Sequence, residues 1–457
     1  MVGINITTLP RRFPMSVRSQ DTATTPSAQL PAITDDAWAQ EIVPQLPAEL
    51  SAQARTLKAF VRARCLPSAL HLLRALLVMA LSDYSVRALG TWGVLSDVAD
   101  MSEAAWRKRM ARSSVWLDWL LSALLMVSPV QPLPTTRRVR LIDATRLGEV
   151  GGRGDAWRVH WEYDFTAGQL GSVVVTDRSQ GEHLGHFVLA EGDIIVADSG
   201  YGYRRSINLL HAAKADGVLR FHPRTCPLED DAGMPWDAIA WLRTPGPATR
   251  TWEGWVRVNG ERIAVRVVAA PLPPEAAKRA QKQKERRAKG RKRTPAASTK
   301  LLAGWLLLLT TLEAQAWPAE AVTRLYRARW QVELVFKRLK QLLRVRPLRC
   351  KRRDMAEATV RALLIAWVLQ ERLAASLREA LAGDGQWPVS SWRVCQLSLE
   401  LMRQEVLGTW TRERVRACLP RLIRFLCNSP RERIQQETQI RTWLASFPGM
   451  HVSHEAS

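Results

Sequence analysis

Between residues 326 and 340 the chain sets Tyr326, Arg329, Glu333, Lys337 and Lys340 at steps of three, four, four and three residues. At about 100° per residue all five share one helix face, and Val332, Val335, Leu339 and Leu342 fall on the opposite one. One carboxylate among cationic and hydroxyl donors can supply a metal ligand and several phosphate contacts from a single helix. That is chemistry suited to a nucleic-acid backbone. The same face also has a plainer reading, since Glu with Lys four residues on is an ordinary exposed-helix pair and basic faces are commonly just solvated.

Two further carboxylates favour the chemical reading. Asp143 stands in an apolar strand between Leu141-Ile142 and Ala144-Thr145. Asp198 closes a second strand after Ile194, Ile195, Val196 and Ala197, and Gly200 just beyond it leaves room for a backbone or phosphate to approach. Aspartates that close adjacent strands meet at one sheet edge, and a helix beside that edge can add Glu333. Such a set can hold two Mg²⁺ about 3.5–4 Å apart, which activate an attacking water or hydroxyl and stabilise a departing 3′ oxygen. Hard oxygen ligands without Cys or His select Mg²⁺, with Mn²⁺ as a substitute. Asp155, Asp164 and Asp177 are read as turn or solvated acids, and Asp193 begins the second strand and so lies at its wrong end.

The elements that must position these acids follow from periodicity. Residues 1–45, rich in Pro, Thr, Ser and Ala, read as a mobile arm, and 46–130 as helical. Within the helical part, Ser102 is a candidate N-cap for a basic helix carrying Arg107, Lys108, Arg109 and Arg112. This is either the reading helix of a helix-turn-helix or a basic helix in a plain bundle. After Pro129 and Pro134 the period becomes two, with strands at 138–143, 157–163, 172–176 and 193–198, then a helix over 206–215. Short strand-like runs at 218–221, 239–242, 251–258 and 262–268 form a β-rich insertion, which ends in ten Lys or Arg between 278 and 293. That run is a solvated helix or loop, or an arm on a nucleic-acid backbone. The region from 351 to 457 is again helical.

Composition narrows the partner. The 457 residues are 47% hydrophobic, enough for a sizeable core, and 66 Lys plus Arg against 43 Asp plus Glu give a net charge of +23. Such a balance points to a polyanion, nucleic acid ahead of an anionic membrane surface. The longest apolar run, 301–312, is too short for the ~20 residues of a spanning helix, and no secretory signal opens the chain, so a cytoplasmic protein is expected. Six scattered cysteines without a Cys-x-x-Cys pair suggest neither zinc nor a disulfide framework. Nineteen tryptophans offer faces on which unstacked bases can sit, although most tryptophans are packing residues.

With Tyr326, Arg329, Glu333 and Lys340 complete, Asp198-Ser199-Gly200-Tyr201 and Asp143-Ala144-Thr145, the chain resembles bacterial insertion-sequence transposases of the DDE class (insertion-sequence family four), whose signature is Tyr-x2-Arg-x3-Glu-x6-Lys. The resemblance spans about 80–380. It implies an α/β fold: a mixed-sheet, ribonuclease H-like catalytic core at 131–216 and 300–350, interrupted by the insertion at 217–299. The helical part at 46–130, with Arg107 and Arg109 in contact, is the candidate domain for binding DNA ends, and synapsis of two ends makes the helices of 351–457 candidate dimer contacts. Asp143, Asp198 and Glu333 would hold two Mg²⁺, while Tyr326, Arg329, Lys337 and Lys340 contact phosphates. In hairpin-forming members a tryptophan at the head of the last core strand stacks on a flipped base; Trp305 fits that place, and Trp330 and Arg220 match positions that support the distorted strand. For Trp305 the plainer reading is a buried strand aromatic.

The function expected is binding of terminal inverted repeats in double-stranded DNA, metal-dependent cleavage, and transfer of the 3′-OH to target DNA by a dimer. Two rivals stand beside it: a nuclease of the same fold without strand transfer, and a silent repressor derived from a transposase.

Overall fold

Successive residues of a strand point to opposite faces, and the near-continuous apolar runs of the central strands, such as Ile194 to Ala197 and Leu306 to Leu309, therefore bury both faces of a sheet beneath helices on both sides. The computed structural model describes residues 37–82, 84–125, 133–148, 155–290, 292, 294–329, 352–382, 390–409 and 432–451, with single positions at 413, 417, 418, 422 and 426. Glu333, Trp330, Lys337 and Lys340 lie outside the described residues.

The strands are β1 (Val139–Gly148), β2 (Asp155–Asp164), β3 (Gln169–Asp177), β4 (Ile194–Ala197), β5 (Asp216–Arg220), β6 (Arg250–Val258), β7 (Glu261–Pro271) and β8 (Trp305–Thr310). They form one eight-stranded sheet in the order β3-β2-β1-β4-β5-β8-β7-β6. The β1–β4 and β4–β5 pairs are parallel and the others antiparallel. The sheet is therefore mixed, with helical regions before and after it.

Before β1 come α1 (Leu50–Thr56), α2 (Ala69–Ser82), α3 (Val86–Leu95), α4 (Glu103–Ala111) and α5 (Ser114–Leu125). Between strands lie α6 (Arg204–Ala212), α7 (Ala238–Arg243), α8 (Pro274–Gly290) and α9 (Ala297–Ala303); α10 (Ala319–Arg327), α11 (Arg353–Ala382), α12 (Ser391–Leu407) and α13 (Glu432–Ser446) follow β8. On one sheet face Leu141, Ile194, Val196, Val218 and Leu308 pack into a core shared with α2, α5, α10 and α11. On the other, Ile142, Ile195, Ala197, Leu219 and Leu309 pack with Ile207 and Leu210 of α6.

A buried ion network ties the strands together at the edge where β4 begins. Arg140 is 2% exposed. It holds Glu162 and Asp193 and donates to the Val188 carbonyl at 2.8 Å, while Arg138 pairs with Asp193 at 2.9 Å. Asp193 is thus a structural acid. Burial acts most strongly and raises its carboxyl, but hydrogen bonds from Arg138, the Ala190 amide and Arg140, with the charge of Arg140, outweigh it and hold the carboxyl below the usual range.

Several expectations change. Residues 239–242 are helical, not a strand, because Asp237 caps α7 by accepting from the Ile239 and Ala240 amides at 2.8 and 3.0 Å. The run at 218–221 belongs to β5, between β4 and β8 in the central sheet, and β6 and β7 of the insertion continue that sheet beyond β8. Within the stretch read as a mobile arm, Trp38 and Ile42 are buried in the helical core, since a large indole gains more from burial than its polar neighbours gain from solvation. The link from Ser96 to Ser102 is longer than the three- or four-residue turn of a helix-turn-helix, although Ser102 does cap α4. Among the described residues no helix is long and apolar enough to cross a membrane.

Candidate active site

Parallel register sets the first two acids side by side. Ile142 of β1 pairs with Ala197 of β4, so Asp143 and Asp198 are the next residues on adjacent strands at the same end. Asp143 shares the face of Leu141, and Asp198 continues the face of Ile194 and Val196, which is the face that packs against Val322, Leu325 and Tyr326 of α10. Asp143 Oδ1 accepts from the Ala144 amide, and Asp198 Oδ1 from the Gly200 amide, each at 2.8 Å. Burial, and then the charge of Asp198, push the Asp143 carboxyl up to about 7, with the Ala144 amide and Arg329 pulling the other way. Two acids held this close in a half-buried edge favour a cation between them.

The cationic side of the edge comes from three elements. Arg220 ends β5 opposite Leu308 of β8, one strand beyond Asp198. Tyr326 is buried near the end of α10, and the Arg329 guanidinium lies 5.6 Å from its ring centroid. Burial raises the Tyr326 phenol, while Arg329 and Arg220 act to lower it and Asp198 to raise it. Arg220, Tyr326, Arg329, Asp143 and Asp198 thus share one neighbourhood.

Trp305 opens β8 opposite Pro271 and is half-buried, with the Arg250 guanidinium 5.1 Å from its ring centroid. It lies towards the same end of the sheet, because β8 runs antiparallel to β5 and reaches Trp305 past the Arg220 pairing. Away from this edge, Arg107 pairs with Glu103 on α4, and Arg109 lies over the Phe60 ring and donates to the Arg62 carbonyl at 3.1 Å. Burial, then Arg112 and Arg64, lower the Arg109 guanidinium, as expected of a crowded basic cluster. Helix α8 has no buried residue and presents its Lys and Arg to solvent.

Sequence reasoning did not single out Glu182 or assign the Tyr201 hydroxyl a place. Glu182 is half-buried, and its carboxyl is raised by burial and by Asp198. The Tyr201 side chain is fully buried, and its hydroxyl has no hydrogen-bond partner among the described residues. Burial raises this phenol, and the charges of Asp143, Glu182 and Asp198 raise it further. The only sequence signal was Gly200. A Cβ there would lie 1.9 Å from Glu182 Oε2 and 3.1 Å from Asp198 Oδ1, so the space expected for a backbone or phosphate is taken by a carboxylate.

Among the described residues no three His, Cys, Asp or Glu side chains converge tightly enough to enclose a metal ion by themselves. The donor set still suits a hard cation: two aspartates share an edge, a third carboxylate stands over a glycine, and a buried hydroxyl lacks a partner among the described residues. Mg²⁺ usually keeps several of its waters, which a loose arrangement of this kind accommodates.

Comparison with known proteins shows the family of the chain. The transposase DDE domain model matches residues 134–369. The transposase for insertion sequence element IS421 of Escherichia coli is 34% identical over 344 residues, covering 72% of this chain and 92% of that protein. InsL for insertion sequence element IS186A of Escherichia coli K12 is 34% identical over 343 residues with the same coverage. The transposase for IS231F of Bacillus thuringiensis subsp. israelensis is 28% identical over 170 residues, covering 36% of this chain and 34% of that protein.

Proposed function

This chain belongs to the insertion-sequence transposases that carry a DDE domain, and we propose that it binds the terminal inverted repeats of its element, cuts the DNA there, and joins the 3′-OH to target DNA. The observation that carries this reading is the register of β1 and β4, which puts Asp143 and Asp198 at one edge beside Arg220, Tyr326 and Arg329. In this reading the central strands, β5 among them, are a ribonuclease H-like core, the chain between β5 and β8 is its insertion and 351–457 serves dimerisation.

Asp143, Asp198 and Glu333 are the acids assigned to two Mg²⁺, with Mn²⁺ able to substitute. When bound, the ions would activate the attacking oxygen and stabilise the leaving one. The chain's own part is to orient the phosphate: Arg220 and Arg329 neutralise its oxygens, Tyr326 buttresses Arg329, and Lys337 and Lys340 extend the same contact along the strand. Trp305, with Arg250 over its ring, offers an aromatic face to an unpaired base, and Trp330 is assigned to support the distorted strand. Arg107 and Arg109 of α4, with the exposed cations of α8, supply backbone contacts outside the cut site.

The test is Mg²⁺-dependent cleavage of a labelled duplex carrying the DNA that flanks the gene, with wild type and Glu333→Gln resolved on a denaturing gel. End-specific nicks and strand-transfer products from wild type, lost in Glu333→Gln while end binding persists, are expected. Nicks without joined products would leave a nuclease. Binding without any cut by either protein would leave a repressor.

A further inference from the structure

Glu182 belongs to no signature block, yet its carboxylate shares the edge of Asp198. We propose that Glu182 is a fourth carboxylate of the active site, a positioning residue that accepts hydrogen bonds from water bound to the divalent cation beside Asp198. The inference rests on the metal-dependent reading above and deepens it.

Three independent features carry it. First, the glycine of Asp198-Ser199-Gly200-Tyr201 serves as a cradle: a Cβ there would lie 1.9 Å from Glu182 Oε2 and 3.1 Å from Asp198 Oδ1, so the carboxylate holds its present place on the Asp198 side because position 200 lacks a side chain. Second, the Tyr201 hydroxyl, fully buried and without a partner among the described residues, lies where the charges of Asp143, Glu182 and Asp198 all act on it. A buried hydroxyl among three carboxylates costs free energy unless something bonds to it, and an ordered water of a hydrated cation would do so. Third, the Glu182 backbone is held in place beforehand. The Tyr203 hydroxyl donates to its carbonyl, Arg158 Nη1 donates to the Gln180 carbonyl at 2.6 Å, and His186 Nε2 lies 3.0 Å from the Gly181 carbonyl.

Arg158 Nε forms an ion pair with Glu182 Oε1 at 3.7 Å, too long for a hydrogen bond, and the Glu182 side chain stays 23% exposed, so its oxygens can still accept from a water. Direct ligation by Glu182 is not what the geometry favours, since Asp143, Asp198 and Glu182 do not close around an ion among the described residues. A hydrated Mg²⁺, which gives up its waters reluctantly, bridges that separation.

The measurement is Mn²⁺ titration of the full-length protein on a short end duplex, with free Mn²⁺ counted by electron paramagnetic resonance against the duplex alone. Outer carboxylates typically change metal affinity about 10–100-fold. Glu182→Gln should weaken Mn²⁺ by about that factor while end binding and far-ultraviolet circular dichroism stay as in wild type, and Glu182→Asp should recover part of the loss. Gly200→Ala, which removes no carboxylate but fills the cradle, should weaken Mn²⁺ similarly and serves as the readout if Glu182→Gln does not fold. Affinity within about twofold of wild type in Glu182→Gln overturns the proposal, as does a loss there that Gly200→Ala fails to reproduce. If Asp143→Asn lowers Mn²⁺ binding and Glu182→Gln does not, only the fourth carboxylate fails. If wild type takes up no Mn²⁺ beyond the duplex, the metal-dependent function fails with it.

Discussion

At Asp143 a half-buried carboxyl faces Asp198 across parallel strands, and its proton affinity follows from that placement. Its folded pKa of about 7 lies above the ordinary value of 3.8. Without metal, the stability linked to this raised value is fully present below about pH 4 and is lost as pH rises through about 7. A divalent cation must displace the same proton. Mn²⁺ affinity should therefore climb by up to about tenfold per pH unit towards pH 7 and flatten above it; a pH-independent titration across that window would remove Asp143 from the ligand set. Asp143→Asn should lower end cleavage by about a thousandfold or more, since several kcal/mol of charge stabilisation depend on the ions it helps to hold. Asp143 was legible in the sequence as an acid within an apolar strand. Glu182 was not, because it comes from an irregular loop and only the fold brings it over Gly200.

Among the elements, β1 carries opposite roles along its length. At one end Arg140 bridges Glu162 of β2 and Asp193 before β4; three residues on, Asp143 faces the candidate metal edge. Removing the arginine strands buried carboxylates. Arg140→Ala should cost about 3–5 kcal/mol, read as a lowered denaturant midpoint, whereas a stability within about 1 kcal/mol of wild type would mean that water replaces the guanidinium. Strand and helix types were largely readable from period two and period 3.6, and Ser102 was readable as a cap. Residues 239–242 misled because a short apolar run fits either period, and the Asp237 cap decided for helix.

For the whole molecule, a charge of +23 predicts strongly salt-dependent DNA binding. Replacing Lys282, Arg286 and Lys289 of the exposed α8 with Ala should reduce the slope of log K against log salt by about 0.9 for each phosphate left without its cation, with the protein's melting temperature little changed. An unchanged slope would make α8 a solvated helix and nothing more. The residue chemistry is written along the chain, because the Asp, Glu, Tyr, Arg and Lys types and their local spacing are properties of the sequence, and so is most of the alternation of helix and strand. Which acids meet is a matter of tertiary packing alone. The parallel pairing of β1 with β4, the return of β8 beside β5 and the reach of Glu182 across Gly200 join residues far apart in sequence, and no local period encodes those contacts.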